Sequence, residues 1–221
     1  MLGIYVTVPI ACFRKGLARE YLETERLPPP ATCYGFLLSL VGETKRERHI
    51  GCRVAPALLN RPDQSVVLRT VWRVKSKPLG SPGNSRPDFQ QLLTDVEALI
   101  WIDSSEEPAD RGSNLEARVR ESLTMPSNVS RFGGLSLGES THLVNEVSLF
   151  DERLHTRLAD HAENAEVFLT HDCGRLTLPV WVDHVGSAGT RYATGNLERL
   201  GLNAPDVQRM PMIQVEFSGQ D

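Results

Sequence analysis

Nowhere does this sequence approach the roughly 18 consecutive apolar residues that a membrane-spanning helix needs. Its opening, Met1 to Phe13, lacks both a basic n-region and a small-residue cleavage site, so the protein is expected in the cytoplasm. Cysteine is sparse: Cys12, Cys33, Cys52 and Cys173 are scattered without a CxxC pair, which leaves neither a disulfide framework nor a zinc signature. His49 and Cys52 form an HxxC pair, but the remaining spacing is too irregular for a ligand set, and no metal or other cofactor is expected. Catalytic signatures are missing too. There is no GxSxG elbow, no HExxH helix and no HxE…PCxxC pattern, and His155, His161, His171 and His184 share no motif. A free-standing enzyme is therefore not the expectation.

What the chain has is an ordinary 40% of hydrophobic residues across 221 positions, enough for one substantial core or two small ones, and an uneven charge. The net charge of −4 conceals 14 Lys+Arg against 7 Asp+Glu in residues 1–90, and 10 against 21 in residues 91–221. A basic surface for phosphate beside an acidic surface facing solvent or protein is one consequence; mutual neutralisation of the two halves is the other.

The β-branched and aromatic run Ile4 to Phe13 reads as a first strand, with Pro9 marking an edge position or a bulge. Pro28-Pro29-Pro30 holds the chain extended, and Ala31 to Val41 follows with Tyr34, Leu37, Leu38 and Val41 at helical spacing. Gly51 to Leu59 and Val66 to Lys77 read as strands, Pro78 to Pro87 as a loop, and Val96 to Ile102 as a buried strand. Asn114 to Leu123 reads as a helix capped by Ser113 with Glu116 in the capping-box position, and Leu143 to Phe150 as a further strand. Residues 1–150 thus follow a βαββαβ order, the ferredoxin-like (RRM-like) α+β arrangement, with a basic β-ribbon inserted at about 51–87. Strands at Glu166 to Thr170, Leu176 to Val182 and Met212 to Phe217 make residues 151–221 a smaller β-rich portion packed on it.

Three segments carry chemistry. The first, Arg14 to Arg26, holds Arg14, Lys15, Arg19 and Arg26 with Tyr21 interleaved, so cations for phosphate stand beside a ring for an unpaired base. The alternative is a solvated loop neutralised by Glu20, Glu23 and Glu25. The second is the ribbon, with Arg69, Arg73 and Lys75 around Trp72, which is either a stacking platform or, as Val71 and Val74 favour, a core residue. The third is the glycine-rich run Arg131-Phe132-Gly133-Gly134-Leu135-Ser136-Leu137-Gly138-Glu139-Ser140, followed by His142, whose free backbone amides suit phosphate; a structural turn explains Gly133-Gly134 equally well. It is no Walker loop, because Glu139 stands where Lys is required.

Leu27-Pro-Pro-Pro-Ala-Thr-Cys-Tyr-Gly-Phe-Leu-Leu-Ser-Leu-Val-Gly-Glu43 and Arg131 to Ser140 with Leu143-Val144, in this order and a hundred residues apart, resemble the Cas-five (Cas5) family. This is the CRISPR-associated RAMP protein of type I Cascade complexes, and the type I-B-like form is the nearest in kind. The resemblance covers most of residues 1–150. It implies a non-catalytic RNA-binding subunit for antiviral defence that caps the 5′ handle of the CRISPR RNA, docks on the Cas-seven backbone subunit and the large subunit, and meets target DNA only indirectly. The ribbon at 51–87 would act as its thumb. The RNA-binding residues expected are Arg14, Lys15, Arg19, Tyr21, Arg26, Arg69, Arg73, Lys75, Arg131, Gly133, Gly134, Leu135, Ser136, Gly138, Ser140 and His142. The alternative reading is a metal-independent endoribonuclease that processes precursor CRISPR RNA, as the type I-C branch does with Tyr, Lys and His. That trio has no residue-by-residue match here, and His142 is the histidine placed to serve if cleavage occurs.

Overall fold

A computed structural model describes residues 1–16, 18, 21–72, 78, 80–185 and 188–215. It is a mixed α+β structure dominated by one large, almost wholly antiparallel sheet with few helices. In chain order the strands are β1 (Leu2–Ala11), β2 (Tyr21–Leu22), β3 (Arg53–Leu58), β4 (Asp63–Trp72), β5 (Ser85–Asp103), β6 (Glu146–Leu149), β7 (Glu166–Thr170), β8 (Leu176–Trp181) and β9 (Arg191–Arg199). The helices are α1 (Pro30–Leu40), α2 (Leu115–Thr124) and α3 (Glu152–Arg157). Among the described residues no helix is long and apolar enough to cross a membrane.

The strands lie in the order β6-β1-β5-β3-β7-β9-β8, while β2 and β4 both pair with the outer half of β5. The continuous apolar run of β1 follows from burial on both faces. Leu2, Ile4, Val6 and Val8 join Val54, Ile100, Ile102 and the inner sides of α1 and α2 in one core. Tyr5, Ala55, Leu99 and Trp101 point the other way, to Leu154, Leu158, Leu202 and Met210. Each fully buried Leu, Ile or Phe of this kind contributes about 1.5–3 kcal/mol relative to exposure.

Pro9 lies in an interior strand, with the β1–β5 register continuous on either side of it. Val8 faces Val96 and Ile10 faces Thr94, so Pro9 lies across from Asp95, which takes φ +58. On the other side β6 reaches only Ile4 to Thr7, so no neighbour needs the N–H that proline lacks. The proline triplet opens α1 as expected, Pro30 occupying its first turn, and Gly42 closes it at φ +66, where a Cβ would strike the Ser130 carbonyl oxygen.

Several expectations need correction. The cap of α2 is Asn114, whose side chain accepts from the Ala117 amide at 2.9 Å, one residue beyond Ser113, and this removes Glu116 from the capping-box position. Strand β5 begins at Ser85, inside the stretch read as loop, and runs 19 residues. Val66 to Lys77 contributes to β4 as far as Trp72, and residues 73–77 lie outside the described residues. In the stretch from Met212, backbone bonds link Ile213 with Gly51 and Cys52, but no named strand forms; Glu216 and Phe217 are outside the described residues. Strands β7, β9 and β8 extend the same sheet from the edge of β3.

Candidate nucleic-acid interface

β5 is long because it serves two structures. From Leu93 to Ile102 it pairs with β1, and from Ser85 to Thr94 it pairs with β4, carrying a two-stranded ribbon past the end of β1. Strand β2 adds a short third strand, with Tyr21 beside Phe89, which itself faces Leu68. Strand alternation gives the ribbon two different faces. Leu68 (64%) and Trp72 (64%) are exposed, as are Val66, Tyr21 and Phe89, and the Tyr21 and Phe89 rings lie 6.4 Å apart at 37°. The core reading of Trp72 is thereby overturned: its ring stands exposed on a ribbon that runs past the end of β1. The opposite face carries Arg69, Asp88 and the buried Gln90.

That second face meets the glycine-rich segment. Residues 135–144 form a small hairpin in which Ser136 bridges Leu143, Val144 donates to the Leu135 carbonyl at 3.0 Å and Leu137 to the His142 carbonyl at 3.1 Å. Gly138 turns it at φ +103, with its α-carbon so near the Cys12 carbonyl that a Cβ would come within 2.8 Å of that oxygen. His142 is buried; its Nδ1 accepts from the Cys12 amide at 3.1 Å and the Glu139 amide at 3.2 Å. Two donated amide protons require an unprotonated Nδ1, and burial pushes the imidazole pKa down in the same direction, against the opposing pull of Glu139. His142 is a clamp between the end of β1 and the hairpin. The carboxylate of Glu139, so held, reaches Arg69 at 3.5 Å, and the Arg69 Nε is buried without a hydrogen-bond partner.

The structure therefore brings Arg69, Ser136, Gly138 and His142 together around the end of β1, while Tyr21 stands on the opposite face of the ribbon. Leu135 and Ser136 belong to the hairpin strand, and Ser140 lies exposed at its turn. Arg131, Gly133 and Gly134 stand exposed on its approach. Gly133 takes φ +78, while an added Cβ at Gly134 would meet only the Leu143 side chain, at 3.2 Å. Arg14 donates to the Ala18 carbonyl at 2.6 Å. Lys15 and Arg26 lie on another side, where with Arg61 they line a cleft at the base of the ribbon; Lys15 pairs with Glu23 at 3.7 Å and Arg26 with Glu166 at 2.6 Å. Arg19, Arg73 and Lys75 lie outside the described residues.

Sequence reasoning missed Phe89, Arg61 and the exposed face of β4. Phe89 follows a Pro-Gly-Asn-Ser-Arg-Pro stretch that signals a loop, and only its position opposite Leu68 shows it as part of a platform. His49 is no ligand: its Nδ1 contacts Glu107 at 2.6 Å and its Nε2 contacts Arg118 at 2.8 Å, within a buried network joining α1 to α2. Among the described residues no group of three or more His, Cys, Asp or Glu could hold a metal ion.

This fold has known counterparts. No protein-family model matches the chain. Similarity to solved structures includes a chain of a "CRISPR RNA-guided surveillance complex", at TM-score 0.57 and 12% identity over 87% of each chain. It also includes a chain described as a "Cas protein", at TM-score 0.50 and 14% identity over 96% of this chain and 97% of that one. At such identities the likeness is one of fold. Sequence carries further: a "CRISPR-associated protein Cas5" of Myxococcus xanthus (strain DK1622) is 54% identical over 215 residues, 96% of this chain and 97% of the relative. With that identity sustained along nearly the whole length of both chains, this chain belongs to the CRISPR-associated Cas5 family.

Proposed function

We propose that the chain is a non-catalytic RNA-binding subunit of a type I Cascade complex that caps the 5′ handle of the CRISPR RNA and docks the backbone and large subunits. The observation that carries this reading is the meeting, at the end of β1, of the loop strand β2, the β4–β5 ribbon and the glycine-rich hairpin. The result is an exposed aromatic platform on one face of the ribbon with backbone and cationic groups on the other, the two kinds of contact used for splayed single-stranded bases and their phosphates. Membership of the Cas5 family supports the same reading. So does the order β6-β1-β5-β3 with α1 and α2 against one face, which is the arrangement of a ferredoxin-like βαββαβ unit with the ribbon as its thumb.

The handle contacts fall to Tyr21 and Trp72 as stacking rings, to the hairpin as the close-approach backbone, and to Arg14, Arg69 and Arg131 as phosphate partners. Arg69 must exchange Glu139 for phosphate to take part. The nitrogen of His142 that could serve as a general base, Nδ1, already accepts from two amides. Co-expression with a repeated backbone subunit tests the function: a small RNA of uniform 5′ end should co-purify. Purified protein incubated with its repeat RNA in EDTA should leave that RNA intact. Specific cleavage that vanishes in His142→Ala would overturn the non-catalytic assignment.

A further inference from the structure

The ribbon has an edge as well as two faces. At Leu93 and Thr94 strand β5 pairs with β1 on one side and with β4 on the other, so β4 lies on the same side of β5 as β3, end to end with it. The next strand on that side, β7, pairs with Ala57 and Leu58 of β3 and begins at Glu166, level with the end of β3. Beside β4 the next row of the sheet is empty: among the described residues its one partner is β5. In an antiparallel ladder alternate residues turn their N–H and C=O away from the partner, so about half of the backbone groups of β4 point outward.

Such an edge invites pairing with another chain, and proteins ordinarily blunt it by shortness, proline, lysine or a bulge. β4 uses none of these devices. It runs ten residues, Asp63 to Trp72, without proline, glycine or lysine, and its register with β5 is unbroken from one end to the other. Val66, Val67, Leu68 and Trp72 are exposed along it, and its single cation, Arg69, is turned to Glu139. β-branched and aromatic residues of this kind gain from neighbours on both sides of a strand.

Charge decides the occupant. Where β4 starts, Lys15, Arg26 and Arg61 line a cleft; Lys15 is held by Glu23 and Arg26 by Glu166, but Arg61 is exposed and has no ion pair among the described residues. A second copy, pairing antiparallel about a two-fold axis, would set that end beside the stretch after Trp72, whose sequence carries Arg73, Lys75 and Lys77. Asp63 is the single carboxylate of β4, too little to offset them.

We infer that the open edge of β4 takes an extended segment of a different protein as an added strand, in line with β7. That segment carries β-branched or apolar side chains at alternate positions and a carboxylate at the end that meets Arg61. Backbone pairing supplies its affinity and the alternate side chains its selectivity. The inference does not depend on RNA binding, since it leaves both faces of the ribbon open.

The test uses the whole chain and, as probe, a fluorescein-labelled ten-residue peptide of alternating threonine and valine ending in two glutamates, read by fluorescence anisotropy. Saturable binding is expected, and the same peptide N-methylated at every amide should bind at least about tenfold more weakly, because it cannot complete a ladder. Val66→Pro and Val67→Pro, made separately, divide the two sides of β4. One removes a donor to β5 and lowers the melting temperature; the other removes an outward donor alone, so it should keep the melting temperature near the parent's and weaken the peptide. Arg61→Ser should weaken the glutamate peptide by about 2- to 5-fold and leave a lysine-ended peptide unaffected. If the plain peptide fails to bind, or binds no better than its methylated form, no strand is added at β4 and the inference fails. It fails too if the proline that spares stability also spares binding. Equal binding of the glutamate and lysine peptides by the parent would overturn the acidic end. A parent that sediments as a dimer, dissociated by that same proline, would give the edge to a second copy in place of a partner.

Discussion

At the scale of single residues, His142 ties chemistry to architecture. Its Nδ1 is the shared acceptor of two backbone amides, from Cys12 and Glu139, so His142→Ala leaves both donors without a partner beside a buried side-chain void. The expected loss is about 2 kcal/mol of unfolding free energy, within the ~1–3 kcal/mol of an unsatisfied buried group, measured by urea denaturation at pH 7.5. The pH dependence follows from the depressed imidazole pKa. The folded protein holds the neutral ring more strongly than the unfolded chain does, so this stabilisation is complete above the ordinary value of 6.5 and declines as pH falls below it. Comparing melting temperatures at pH 8 and pH 5.5 should show a smaller acid loss for His142→Ala than for the parent. An equal loss would place the acid sensitivity elsewhere.

Two glycines of the same hairpin should behave differently. Gly138→Val combines a left-handed φ with a Cβ 2.8 Å from a backbone oxygen, so it should damage the fold itself. Gly134→Val meets only the movable Leu143 side chain, so its melting temperature should stay near the parent's while assembly with RNA weakens. Equal loss of stability in both would leave the turn as Gly134's sole purpose.

At the scale of elements, the basic first part of the chain bears on salt. Removing Arg14, Arg19 and Arg73 together should make the log–log salt slope of RNA binding shallower by up to about 2 units if all three touch phosphate. Removing Arg153, Arg157 and Arg199 should leave it nearly unchanged, since Arg157 already pairs with Glu146 and Arg199 with Glu166. A filter-binding series between 50 and 300 mM salt, on the order of magnitude where phosphate contacts dominate, reads the difference. Equal shifts would mean that the charge acts as a diffuse field.

The elements that sequence made legible are those with a core to face. Strands β1 and β3 read as continuous apolar runs because they are buried on both faces, and helix α1 shows its spacing because most of its residues are buried. The outer half of β5, Ser85 to Thr94, has few buried apolar residues, and its Pro87 with the preceding Asn84 resembles loop punctuation, so nothing local distinguishes a ribbon strand from a turn. Strand β9, Arg-Tyr-Ala-Thr-Gly-Asn-Leu-Glu-Arg, is half-exposed for the same reason and was not anticipated. Within the site, the Gly-rich run and Tyr21 could be named from sequence. The pairing of Glu139 with Arg69 and the clamp at His142 could not, because each joins residues far apart in the chain whose meeting depends on the sheet.

At the scale of the whole molecule, the break at residue 150 falls within a continuous hydrogen-bonded sheet. β7 pairs with Ala57 and Leu58 of β3, and the second core sets Ala55, Leu99 and Trp101 against Leu154, Val167 and Met210. A chain cut after Phe150 should therefore expose both a strand edge and an apolar face and aggregate, which light scattering would register. The full chain should unfold in one calorimetric transition, with van't Hoff and calorimetric enthalpies equal. Two resolved transitions, or a soluble 1–150 fragment, would show that the C-terminal strands fold apart from the rest.

The length of β5 also sets when the protein can begin to fold. Leu2 lies opposite Ile102 and Ala11 opposite Leu93, so β1 finds its partner only after about ninety more residues have been made. At ~5–20 residues per second that wait lasts about 5–20 seconds, during which an apolar, β-branched segment has both edges bare. β4 and the outer half of β5 are close in sequence, so they can pair first and remain attached to the half of β5 that has still to emerge. Nascent-chain chaperones thus meet this protein as an unmatched hydrophobic strand, well before it presents any surface to RNA.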